Sequence, residues 1–477
     1  MKDSLAIKPT AHRWVAFAVL LVGAFLPPLD FFIVNLALPS IRSDLRITTA
    51  EVELVISAYA VAYAVFLITG GRLGDLYGQR NVFLLGIAGF GASSAICGLA
   101  SSPLMLIVGR VLQGLSAAAM APQCIASIDT LFPVHERSRA LGVYGATIGL
   151  AATTAQAIGG VLIAADIFHL AWRVIFLINL PVVVAVLIVG IPFLPDTRGK
   201  NPFPLDKLGV VLCALALGLL VVPLVEGREM GWPWWIWLML IASPFVAISF
   251  WRYEVALAAC GGMPLISPEL SQSPGLLVGL LGVLFFYVIS AFFLTFSVYL
   301  QDALGLSALV AGLMFIPCGV GFFIGPLTTP LAIKLFGRFV PAMGMMLEVI
   351  GCLLLSICIA QTPPGVTPEL GVIVVALGLI GFGQGWALPT LVRSLIDRAP
   401  PGGSGMISGV VGSALQISCA LGIAILGGFF FGLADPEHSP ASLAAALSVT
   451  MLCIALSLII AALLAVYASS PRAKNGR

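Results

Sequence analysis

Apolar runs of about twenty residues, the length a helix needs to cross a bilayer, recur along the whole chain. They cover residues 14–38, 51–72, 81–99, 103–130, 140–164, 172–194, 208–225, 233–251, 275–300, 308–333, 339–360, 370–391, 403–432 and 441–468, fourteen in all. In hydrocarbon every backbone amide must be paired within the protein, so runs of this length specify helices. Composition agrees: the chain is 60% hydrophobic and 9% charged, where a soluble protein carries about a quarter charged residues. It therefore reads as all-α and integral to a membrane. The first run follows a short basic start, yet it is long, holds Asp30 and Asn35 and offers no small-residue cleavage site. It reads as a membrane helix rather than a leader.

Charge asymmetry sets an expected orientation. With both termini inside, eighteen of the 23 basic residues fall on inner segments, four (Arg42, Arg46, Arg173, Arg228) on outer ones, and Arg110 within a span. By the positive-inside rule both termini are expected in the cytoplasm. The polar connection Pro195–Lys207 and the loop 256–274 bracket two spans, giving a plan of six, two and six: 1–194, 195–256 and 257–477. A faint repeat relates the outer two parts. Leu76-Tyr77-Gly78-Gln79 after span two is similar to Leu335-Phe336-Gly337-Arg338 after span ten. Such repeats mark secondary transporters, whose substrate site lies between the halves.

Other classes find little support. The nine cysteines form no CxxC pair, and no HExxH or His/Cys cluster occurs, so neither disulfides nor a metal site is expected. A net charge of +2 without a basic patch gives no reason to expect nucleic acid. No loop gathers a nucleophile with a base, so an enzyme is not expected, nor is any cofactor. Without a GxxxxGK[ST] loop, energy has to come from an ion gradient.

The connection after span two reads Gly71-Arg72-Leu73-Gly74-Asp75-Leu76-Tyr77-Gly78-Gln79-Arg80. This resembles the signature loop of the major facilitator superfamily, with Leu76 and Gln79 where basic residues are usual. Arg80 and Asp129 stand where the rest of a charge relay would be. The run from Leu29-Asp30 to Leu38-Pro39, the stretch Arg110-Val111-Leu112-Gln113-Gly114, and Trp172-Arg173 through Asn179-Leu180-Pro181 resemble the fourteen-helix drug/proton antiporters of that superfamily. In span five Ala155-Gln156 replaces that group's usual Gly-Pro ahead of Gly159-Gly160, which predicts a straighter helix. The resemblance implies a monomeric, multi-pass protein of the cytoplasmic membrane that exports small hydrophobic or amphipathic compounds in exchange for H⁺. A proton symporter importing a metabolite, or a membrane sensor without transport, are the competing readings.

Asp30 lies about 24 Å along span one at 1.5 Å per residue, and Arg110 sits at similar depth in span four. A charge at that depth is costly and is functional by default. Burial and a fixed positive charge pull the ionisation of Asp30 in opposite directions, so such a site can load and release a proton. The bland alternative is a static pair holding two helices. Asn35 lies about 140° around the helix from Asp30 and reads as a helix–helix hydrogen bond. Glu348 is a rival acid that needs a polar partner. The resemblance places spans one, four, five, nine, twelve and thirteen around a cavity. Its candidate wall residues are Gln113, Gln156, Tyr287, Phe293, Gln384 and Gln416, with Trp386 of similar standing. Trp232, Trp234, Trp235 and Trp237 look like an interfacial belt.

Overall fold

The computed structural model describes residues 13–47, 49–195, 206–227, 230–262, 264–266, 268, 274–398, 404–434 and 439–469. The described chain is helical. The first group comprises α1 (Arg13–Leu45), α2 (Thr49–Tyr77), α3 (Gln79–Gly98), α4 (Pro103–Leu131), α5 (Val134–Ala165), the short α6 (Val174–Leu177) and α7 (Asn179–Phe193). Then follow α8 (Lys207–Glu226) and α9 (Trp234–Ala259). The second group holds α10 (Pro274–Phe286), α11 (Ala291–Val298), α12 (Ala308–Leu313), α13 (Ile316–Phe336), α14 (Val340–Gln361), α15 (Leu370–Ile396), α16 (Ser404–Gly422), α17 (Gly428–Leu433) and α18 (Pro440–Ala468).

Among the described residues twelve stretches are long and apolar enough to cross a membrane, against the fourteen expected. Two features account for the difference. Residues 308–361 form one apolar stretch but run along α15 in both directions. A methyl group at Gly321 would meet the Gly378 carbonyl oxygen at 2.4 Å and one at Gly325 that of Phe382 at 2.8 Å, so α13 runs parallel to α15. On α14, Gly344 approaches Gly383 and Gly351 approaches Ala376, the antiparallel order. The reversal falls at Gly337, whose φ of 54° suits glycine. Its counterpart in the faint repeat, Gly78, has φ 87°, so both turns use the same device. The second feature is α5, a continuous helix of 32 residues whose uninterrupted run of described side chains, Gly142–Ala151, is too short to be counted as a span. It is rich in Gly and Thr and packs between the two groups rather than facing outward.

The first group closes around α1, α2, α4 and α5, the second around α13, α14, α15 and α18. Interior contacts are made by small residues, which let helix backbones approach where no water-driven force pulls them together. The groups meet where α5 packs on α12 and α13, and where α2 packs on α16; α8 and α9 pair and lean on α2. Both described chain ends lie at one end of the bundle. Arg13 pairs with Glu136 at the start of α5 (3.2 Å), a Cβ at Gly145 would lie 3.1 Å from Pro389 near the end of α15, and Arg398 beyond α15 donates to the carbonyl of Ala468. This is called the terminal side below.

Candidate functional site

Asp30 is buried in the middle of α1 and does not face lipid. The Arg110 guanidinium donates to its Oδ2, while Gln113 Nε2 (3.2 Å) and Asn179 Nδ2 (2.8 Å) donate to Oδ1. Arg110 also donates to the Val55 carbonyl (2.9 Å) and to Gln113 Oε1 (3.0 Å). Its flat face lies 4.4 Å from the Tyr59 ring and 5.8 Å from Phe176, a cation–π enclosure in which Nη2 has no acceptor among the described residues. Ser94 completes the cluster, bonded to both Gln113 (2.8 Å) and Asn179 (3.2 Å). Thus α1, α2, α3, α4 and α7 all contribute to one buried polar knot. The contact between Asp30 and Arg110 follows from their matched depth. Asn179, Ser94 and Tyr59 do not, since nothing in a sequence reports which face a distant helix turns inward.

A cavity of about 150 Å³ lies between the two groups. Its wall is apolar and aromatic, with Phe31, Phe32, Tyr59 and Tyr63 on one side and Tyr287, Leu415 and Gln416 on the other. Tyr59 joins knot to cavity. Its ring covers Arg110, it lines the cavity, and its hydroxyl donates to the carbonyl of Pro27 (3.1 Å), itself a wall residue. The lining reaches toward the terminal side through Pro389, Arg393 and Ile396 at the end of α15. At the other end a methyl at Gly160 of α5 would lie 2.7 Å from the Ala308 carbonyl, so α5 and α12 pack backbone to backbone there.

Of the residues assigned to the cavity, Tyr287 and Gln416 line it. Three others are placed differently. Gln113 is fully buried and turned toward Asp30. Phe293 is buried in an aromatic cluster, stacked on Phe315 (5.8 Å) and touching Phe32 (4.8 Å), so it backs the wall instead of forming it. Gln384 is buried in α15 outside the lining, and the Trp386 indole donates to Thr328 (2.8 Å). The reason is helix rotation, which spacing along one strand of sequence leaves open. The side chains of Gln156, Asp75 and Asp129 lie outside the described residues. Glu348 is fully buried, and neither oxygen has a hydrogen-bond partner among the described residues; the polar partner expected for it is not there.

The signature loop is held against α4. A methyl at Gly74 would lie 1.9 Å from Gln123 Oε1, whose Nε2 donates to the Gly70 carbonyl (2.7 Å), whereas Gly71 has ordinary room beside Pro122 (3.7 Å). Arg80 donates to the carbonyl of Ile191 on α7. On the side away from the termini, Asp44 accepts from Trp172 Nε1 (3.0 Å) and Arg173 (2.6 Å), and Arg173 also donates to the Ala100 carbonyl (3.1 Å). This clamp binds the end of α1 to the turn before α4 and the approach to α6. Hydrogen bonds from Trp172 and Arg173 hold the Asp44 carboxyl below its ordinary range.

A many-helix membrane bundle with a cavity between two groups and a charged pair buried beside it defines a secondary-transporter architecture. The chain belongs to the Major Facilitator Superfamily, whose family model matches residues 20–423. It is similar to the "Probable actinorhodin transporter" of Streptomyces coelicolor, 34% identical, covering 89% of this chain and 74% of that one. The tetracenomycin C resistance and export protein of Streptomyces glaucescens is 32% identical over 87% of this chain and 75% of its own length. The puromycin resistance protein of Streptomyces alboniger is 33% identical, covering 91% and 86%.

Proposed function

We propose that this protein is a proton-coupled exporter of apolar or amphipathic antibiotic-like compounds, working by alternating access in the cytoplasmic membrane. One observation carries the reading: Asp30 is fully enclosed with Arg110, and the Tyr59 ring that covers Arg110 also lines the cavity. The names of the relatives favour export over import. The chain is taken to cross fourteen times: eleven of the apolar stretches once, 308–361 twice, and α5 once. The halves are 1–194 and 257–477, with 195–256 between them, and the excess of basic residues puts the terminal side in the cytoplasm.

In the described arrangement the cavity reaches the terminal side and Asp30 is paired with Arg110. It corresponds to the state that accepts substrate from the cytoplasm or inner leaflet. Closure on that side and opening on the other expose the knot to the external proton pool. A proton on Asp30 ends its attraction for the guanidinium, Arg110 and the Tyr59 ring above it shift, and the wall no longer fits the substrate, which leaves. Return inward gives the proton to the cytoplasm and restores the pair. Each elementary charge moved inward supplies about 2.3 kcal/mol per 100 mV, roughly a fifty-fold concentration ratio.

Everted vesicles test this with puromycin and tetracenomycin C as compounds. Wild type accumulates the transported one under an interior-acid gradient and loses it when a protonophore is added; Asp30→Asn inserts normally and accumulates none. Accumulation by Asp30→Asn at the wild-type rate, or accumulation indifferent to the gradient, overturns the assignment.

A further inference from the structure

A second pair of acids lies far from Asp30, at the terminal-side ends of α8 and α9. Asp206 caps α8: its Oδ1 accepts from the Gly209 amide (2.9 Å) and from the Tyr253 hydroxyl (2.8 Å). Its Oδ2 is buried and has no donor among the described residues. Glu254 on α9 is fully buried; its Oε2 accepts from the Ile266 amide (3.2 Å), and its Oε1 likewise has no donor. The two orphaned oxygens converge. A Cβ at Gly209 would lie 2.1 Å from Asp206 Oδ2 and 2.5 Å from Glu254 Oε1, so the oxygens are no farther apart than those distances together. Two ionised carboxylates facing each other there repel, and among the described residues no donor sits between the two facing oxygens.

The surroundings leave the gap unfilled. Tyr253 is engaged with Asp206, Cys213 of α8 is buried with Ile68, Phe250 and Leu265, and α16, which also packs on α8, brings no charged side chain. Lys207 and Arg252 flank the pair in sequence, yet among the described residues neither they nor Arg72 forms an ion pair with it. We infer that Asp206 and Glu254 share one proton held between Oδ2 and Oε1, a proton-binding site separate from Asp30.

The site controls a joint. The stretch 264–266 leads into the second group and is held at three successive residues. Arg72 of the signature loop donates to the Pro264 carbonyl, Leu265 is buried against Ile68, Cys213 and Phe250, and the Ile266 amide is bonded to Glu254. Loss of the shared proton sets the carboxylates against each other and swings Glu254 off Ile266, loosening the tie between α9 and the signature loop. The joint is therefore firm at low cytoplasmic pH and loosens as pH rises.

Amide hydrogen exchange on the full-length protein in nanodiscs tests this, with Asp30→Asn as a background so that the central acid contributes nothing. In the wild-type pair, protection of the Leu265 and Ile266 amides relative to the intrinsic rate falls as pH rises. In Glu254→Gln, or in Asp206→Asn, whose Oδ1 still caps α8, the new amide donates across the gap without a titratable proton and protection becomes independent of pH. Should one amide variant fail to fold, the other gives the same readout. Identical pH profiles in all forms overturn the proposal, as does protection that follows Na⁺ or K⁺ concentration instead of pH. Because the background already lacks Asp30, either failure leaves the transport reading untouched.

Discussion

Three donors converge on the Asp30 carboxylate, two from α4 and one from the start of α7, and each is itself held by a second partner. Removing the guanidinium leaves a buried charge without its counter-ion, whereas removing one amide leaves it with a single bond fewer. Arg110→Ala should therefore lower stability by about 3–5 kcal/mol, and Asn179→Ala by about 1–3 kcal/mol. Thermal unfolding in detergent measures both, and equal effects would contradict the knot's hierarchy. The Asp44 clamp predicts a pH effect of definite sign. Its carboxyl is held below the ordinary range when folded, so its contribution is present above that range and is lost as pH falls through the lowered value. The fluorescence of Trp172, taken as the difference from Trp172→Phe, should change on acidification and stay flat in Asp44→Asn. Depth along each apolar run was enough to bring Asp30 and Arg110 together. Asn179 stood within a recognised run, but its partner could not be read, because that depends on how α7 is rotated against α1.

Helix identity was legible and helix ends were less so. The apolar pattern marks the hydrocarbon-length core of each element, while α1, α2 and α5 continue well past it on polar residues. The segment where Ala155-Gln156 stands in place of Gly-Pro lies within one continuous helix from Val134 to Ala165. Where helices touch is set by small residues, and this yields a controlled prediction. On α15, a methyl at Gly383 would sit 2.4 Å from the Gly344 carbonyl oxygen, whereas Gly378 has nothing within 4 Å. Gly383→Leu should destabilise by at least the 1–3 kcal/mol or so typical of overpacking, and Gly378→Leu should be near neutral. Unfolding midpoints of the two variants decide it; a Gly378→Leu effect as large as that of Gly383→Leu would place the α14–α15 seam elsewhere.

At the level of the molecule, the two groups meet along α5, α12, α13, α2 and α16, and the lining of the cavity between them extends toward the terminal side. Repeat, signature loop and span pattern lead one to expect two halves, and the described helices pack as two groups with a cavity between them. The identity of the wall did not follow, since Gln113 and Phe293 turn away from the cavity while Tyr59 and Phe32 form it. The whole scheme depends on substrate in this cavity and a proton on Asp30 excluding one another. Proton release from purified protein in weakly buffered detergent solution, on adding a transported compound such as puromycin, measures that exclusion. Wild type preloaded at acid pH should release close to one proton per substrate bound, and Asp30→Asn should release none. Binding without proton release, or equal release from both proteins, would contradict it.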